Sequence, residues 1–151
     1  HLIDAGIRAL PTPANAPADD GPWVQRNGHR LHGALSGRFT PGQRSALAAL
    51  YCAQMTSARV RRMWRASSLN FHSLVVEGPL TRNSLYLGLL QALLPDHHCM
   101  ASTDPLEGTA RGAAALCRWT QVSGPDPGLK PVVACHVAGL HDYHRAWLGQ
   151  C

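Results

Sequence analysis

The chain has 151 residues, 45% apolar and 15% charged, enough to bury about two-thirds of the surface that its unfolded form would expose around one core, and too apolar for a disordered acidic tail. Fourteen basic against nine acidic side chains leave a net charge of +5, which bears on solubility and non-specific attraction and not on fold. No apolar run approaches the ~20 residues of a membrane helix, because Leu85 to Leu94 is broken by Gly88 and Gln91 and ends at Pro95.

The chain opens at His1 without methionine, and His1-Leu2-Ile3-Asp4-Ala5 has neither the basic flank nor the apolar run of a secretory signal, so it reads as a fragment that starts mid-fold. Residues 1–39 read as a loop and hairpin lead-in. Proline, alanine and aspartate dominate Pro11 to Pro22, an extended surface loop. Asn27-Gly28 then sits between Trp23-Val24-Gln25-Arg26 and His29-Arg30-Leu31-His32, and its tolerance of positive φ predicts a β-hairpin.

Residues 40–119 predict a helix-strand-helix-strand-helix core. Thr40-Pro41-Gly42-Gln43 combines a threonine cap, proline at the first helical position and glutamine three residues after the cap. Leu47, Leu50, Tyr51, Gln54, Met55 and Ala58 follow at helical steps on a helix reaching about Arg65. Arg59, Arg61, Arg62 and Arg65 close it, a favourable place for cations beside the last carbonyls. Ser73-Leu74-Val75-Val76 reads as a buried, central strand. A second helix carries Leu85, Tyr86, Leu89, Leu90, Leu93 and Leu94 on one face, and Leu50, Leu89, Leu90 and Leu93 are expected to face the same sheet. Cys99-Met100-Ala101 is a weaker strand, and Asp104-Pro105-Leu106-Glu107 caps a third, small-residue helix to about Trp119. In residues 120–151, Pro131 to Val137 reads as an edge strand or extended segment and Asp142 to Leu148 as a closing helix. The alternation predicts an α/β layer arrangement.

The junction from Leu74 to Asn83 carries the chemistry. In open α/β sheets ligands sit beyond the carboxyl ends of strands, where helix N-termini present unpaired N–H groups. Gly78 leaves room for close approach, and Asn83 can meet an adenine edge or cap its own helix.

Val75-Val76-Glu77-Gly78-Pro79-Leu80-Thr81-Arg82-Asn83, followed some twenty-five residues on by Glu107-Gly108-Thr109-Ala110-Arg111-Gly112-Ala113-Ala114, resembles the last blocks of the FGGY carbohydrate kinases. Leu35 to Thr40 with the helix through Gln54 resembles the family's loop and long helix, which carries an acidic or amide residue near Gln54, and Asp142 to Trp147 resembles its C-terminal helix. The resemblance implies an α/β fold: part of an actin-like, ribonuclease-H-like ATPase lobe, a mixed sheet with packed helices and an N-terminal β-hairpin. It implies a cytoplasmic, ATP- and Mg2+-dependent sugar or polyol kinase, with an adenine nucleotide and a sugar as partners and a homodimer as candidate assembly. Gly78, Pro79, Arg82 and Asn83 would line the adenine and ribose side of the nucleotide site. Pro79 stands where the family has a second glycine and removes one backbone donor. The family's catalytic base, phosphate loops and sugar contacts match nothing here, so the isolated chain is expected to be inactive and the choice of sugar to lie in the other lobe.

Other chemistries find less support. His97-His98-Cys99 and Cys135-His136, with His141 and His144, offer metal-type residues, of which His141 and His144 have a zinc-like spacing, but Cys135-His136 on a strand would point to opposite faces. Five cysteines at irregular spacing suit reduced core residues. Walker and Rossmann glycine patterns are absent, and four scattered tryptophans make no base-stacking platform, which argues against nucleic acid. The competing reading is a non-catalytic α/β binding module with a basic helix.

Overall fold

The computed structural model describes residues 1–12, 22–33, 35–67, 71–103, 117 and 128–150. Apart from Cys117, the expected third helix, with its Asp104-Pro105 cap and the Glu107 to Ala114 block, falls outside these residues. The chain divides into two compact units where one core was expected: His1–Arg62 with His136–Cys151, and Met63–Cys135.

In the first unit, β1 (Ile7–Leu10), β2 (Trp23–Arg26) and β3 (His29–Arg30) form an antiparallel sheet in that order. The hairpin turns at Asn27 (φ 49°) and Gly28 (φ 85°), the paired positive φ values of a type I′ turn. The lead-in is not all loop: Ile7 and Ala9 are buried and alternate with Arg8, giving a strand that pairs Ile7 with Arg26 and Leu10 with Trp23. Ile7, Ala9, Val24, Phe39 and Leu47 form the core of this unit.

Helix α1 (Pro41–Ala66) starts on the expected capping box. The Gln43 amide N–H donates to Thr40 Oγ1 over 3.3 Å, and the Thr40 N–H donates to Gln43 Oε1 over 2.9 Å. Its buried residues are Leu47, Ala49, Leu50, Ala53, Gln54 and Ser57. The buried face is therefore turned toward Ala49, Ala53 and Ser57, and Tyr51, Met55 and Ala58 are only half-buried. Small side chains four residues apart let a neighbour approach closely, a signal weaker in sequence than a leucine stripe.

The last helix, α3 (Leu140–Leu148), lies over β1: Tyr143 Oη donates to the Ile7 carbonyl over 2.6 Å and Trp147 Nε1 to the Ala9 carbonyl over 2.7 Å. Between these aromatics His144 faces α1, with Nε2 3.2 Å from Ser57 Oγ and Nδ1 3.5 Å from Gln54 Nε2. Gln54 is thus spent inside the first unit, and its buried Oε1 has no partner among the described residues.

In the second unit, β4 (Ser73–Val76) runs parallel to β5 (His98–Ser102), and β6 (Leu129–Pro131) runs antiparallel on the other side of β5. The expected central strand is therefore an edge strand among the described residues, and β5 is central. Burial gives the reason: Cys99 is 1% exposed and Ala101 9%, while Val75 is 47% exposed. The apolar run Leu74 to Val76 looked two-sided in sequence, but only alternate residues turn inward. Pro131 ends β6 on the opposite edge, where its missing N–H costs no ladder bond. Just beyond it the Val132 N–H still donates to the Cys99 carbonyl over 2.9 Å, after which residues 133–137 have no regular structure.

Helix α2 (Ser84–Leu93) connects β4 to β5 and buries Tyr86, Leu87, Leu89, Leu90 and Leu93, whereas Leu85 is exposed. Leu50, Leu89, Leu90 and Leu93 are all buried, but Leu50 belongs to the first unit and the other three to the second, so the expected single sheet does not collect them. Gln91 braces the α2–β5 turn: its Nε2 donates to the carbonyls of Leu94 and His97, and its Oε1 accepts from the Cys99 N–H. No helix among the described residues is long and apolar enough to cross a membrane.

Candidate functional site

The chain leaving β4 turns at Gly78, whose φ of 85° and ψ of −171° belong to a region that side-chain-bearing residues seldom enter. A Cβ there would meet no atom within 4 Å. Backbone conformation, not contact within the protein, therefore demands this glycine, and its outer side is open. A Gly78→Val change would accordingly strain the turn as well as fill the open space. Pro79 takes the first position of a 3₁₀ turn, Pro79–Arg82, where the donor it lacks is not needed. The Gly78 carbonyl accepts from both the N–H (3.0 Å) and Oγ1 (2.8 Å) of Thr81, which fixes the turn.

Asn83 caps α2 through Oδ1, which accepts from the Tyr86 N–H at 3.0 Å. Its oxygen is thereby committed to the helix. Asn83→Ala is expected to cost about 1 kcal/mol of stability, read as a lower denaturant midpoint; an unchanged midpoint would show that the cap contributes nothing.

Beside this turn lies a cleft of about 450 Å³, within the ~300–1,000 Å³ typical of ligand sites. One wall is Thr81, Arg82 and Ser84 with Leu87 and Gly88 of α2; the carboxyl end of β5 contributes Ala101, Ser102 and Thr103; Lys130, Pro131, Val132 and Val133 form the far wall. Gly88 sets that wall in place. A Cβ on Gly88 would come within 3.1 Å of Cys135 Cβ, and the Cys135 N–H donates to the Gly88 carbonyl over 3.1 Å. The extended segment thus sits directly on α2, with Val133 84% exposed at the lip.

Of the four residues expected from the sequence, Arg82 lines the cleft, while Gly78, Pro79 and Asn83 build the turn that carries it. Sequence reasoning missed Ser102, Thr103 and Lys130. The rule that ligands sit at carboxyl strand ends points to Ser102 and Thr103 once Cys99 to Ala101 is a strand, whereas Lys130 comes to the cleft only through the pairing of β6 with β5.

Competing chemistries do not assemble. Burial pushes the thiols of Cys99 and Cys135 up, the latter partly offset by a backbone hydrogen bond, so neither is primed as a nucleophile. His144 is buried against Ser57 and does not converge with exposed His141. His97 stacks on Trp64, with ring centroids 3.4 Å apart. Among the described residues no three His, Cys, Asp or Glu side chains gather as metal ligands would.

The chain matches the family described as carbohydrate kinase FGGY, C-terminal domain, over residues 1–125. Its fold is similar to the crystal structure of a carbohydrate kinase from Novosphingobium aromaticivorans, with a TM-score of 0.64 at 16% sequence identity, covering 99% of this chain and 28% of that one. Comparison with curated protein sequences finds no match.

Proposed function

The chain belongs to the FGGY carbohydrate kinase C-terminal domain family, and from that premise we propose that it forms the adenine and ribose side of the nucleotide site of an ATP-dependent sugar or polyol kinase. The observation that carries this reading is the cleft at the carboxyl end of β5, reached by the Gly78 to Asn83 turn. Leu87, Ala101, Val132 and Val133 offer apolar surface to a planar base, and Ser84, Ser102 and Thr103 offer hydroxyls to a sugar. ATP would supply the transferable phosphoryl group; what these residues do is bind and orient the nucleoside end and keep water from it.

Among the described residues no three His, Cys, Asp or Glu side chains gather as metal ligands, and the described lining of the cleft holds no carboxylate. In this reading the carboxylates that hold magnesium, the base that orients the sugar hydroxyl and the sugar contacts belong to the rest of the kinase. A cytoplasmic location belongs to the same reading.

The isolated chain should show no sugar-dependent ATP consumption and should bind adenine nucleotides at millimolar strength, about −4 kcal/mol, because half a cleft buries only part of a ligand. Chemical-shift mapping with an adenine nucleotide tests this. Perturbations are expected at residues 77–84, 101–103 and 130–133. Perturbations confined to Arg59, Arg61, Arg62 and Arg65 would instead establish the basic-helix binding module.

A further inference from the structure

We infer that Gly88 is a positioning residue of the cleft: its missing side chain seats residues 132–135 as a strap against α2, and the size of the residue at position 88 decides how closely the wall on that strap meets a ligand. For the ligand, though not for the strap, this rests on the nucleotide reading of the cleft.

A glycine inside a helix weakens it relative to alanine, and Gly88 stands in the middle of the ten-residue α2. Positive φ does not explain it, since Gly88 keeps a helical backbone. Close approach does. A Cβ at this position would stand 3.1 Å from Cys135 Cβ, 3.3 Å from the Cys135 nitrogen and 3.4 Å from the Val133 carbonyl oxygen, inside the ~3.5–4.0 Å at which carbon atoms attract best. Two of those three atoms are backbone, so no side-chain rotation relieves the crowding and the strap itself must move.

The strap is fastened at its two ends. At one, the Val132 N–H donates to the Cys99 carbonyl over 2.9 Å; at the other, the Cys135 N–H donates to the Gly88 carbonyl over 3.1 Å. Between the fastenings Val133 and Ala134 are exposed and belong to no strand. Val132 and Val133 line the cleft opposite the Thr81 to Ser84 wall. A side chain added at position 88 therefore pushes out the Cys135 end, carries Val133 with it and leaves the Val132 fastening on β5 in place.

The test compares the unaltered chain with Gly88→Ala and Gly88→Leu by amide hydrogen exchange and by ADP titration followed through chemical shifts. Both replacements are better helix formers than glycine, so α2 itself should keep or gain protection. The Cys135 amide is expected to lose protection about tenfold in Gly88→Ala and further in Gly88→Leu, with Val132 unchanged. ADP should bind about threefold more weakly to the first variant and about tenfold more weakly to the second. Undiminished protection of Cys135 in both variants overturns the strap. Loss of protection throughout α2 in Gly88→Ala also overturns it, because a strap seated on the helix yields before the helix does. Exposed Cys135 with ADP binding unchanged overturns position 88 as the setting of the ligand wall while the nucleotide reading stands. No ADP binding by the unaltered chain overturns the nucleotide reading and the ligand half of the proposal with it, and exchange at Cys135 still decides the strap.

Discussion

Trp147→Ala is expected to destabilise the first unit by about 3–5 kcal/mol, a large share of the ~5–15 kcal/mol that holds a typical domain together. Trp147 is fully buried, stacks on His144 with ring centroids 5.8 Å apart, and donates its indole N–H to the Ala9 carbonyl. Truncation to alanine therefore opens a cavity and leaves that carbonyl without its donor. Trp147→Phe separates the two effects: most of the volume stays and only the donor goes, for an expected cost of about 1–3 kcal/mol. Urea titration, with hydrogen exchange at Ile7 to Leu10 as the local readout, measures both. An alanine variant with an unchanged midpoint and undiminished protection would show that α3 does not secure β1.

Acid is expected to cost the first unit about 3 kcal/mol between pH 6.5 and 4 through His144 alone. Burial, with the nearby positive charge of Arg61 and the neighbouring His141, holds this imidazole down from 6.5 to about 4. The unfolded chain takes up the proton first. Stability is thus fully present above pH 6.5 and is lost progressively as pH falls to the folded value. Exposed carboxylate pairs add little to this slope, since Asp142 and Arg145 are each about 80% exposed. Denaturant midpoints from pH 7.5 to 4 should fall in the parent and flatten markedly in His144→Gln. Identical slopes in the two would remove His144 as the source.

What was legible in the sequence was local. The capping box at Thr40 and Gln43, the Asn27-Gly28 turn and the Asn83 cap each complete their chemistry within a few residues, so composition at fixed offsets reveals them. What was not legible depends on pairing across the chain. β1 is four residues long and becomes a strand only because β2 and α3 supply its partners. The central place of β5 follows from β6 pairing on its far side, although its own sequence, His98 to Ser102, is less apolar than that of β4. The same distance hid the cleft. Arg82 was visible from its own loop, whereas Lys130 reaches the site through a register with Ala101 that no local pattern announces. The resemblance to the family was carried by short blocks and held.

The two aromatic hydrogen bonds from α3 to β1 have a consequence beyond holding the helix. Among the described residues β1 has a strand neighbour on one side only, and carbonyls two residues apart in a strand face the same way, so those of Ile7 and Ala9 lie along its outer margin. The Ile7 N–H on that margin is also taken, by the Leu2 carbonyl. An incoming strand from a second molecule would find these three backbone groups of the β1 margin already engaged, which disfavours edge-to-edge addition at β1.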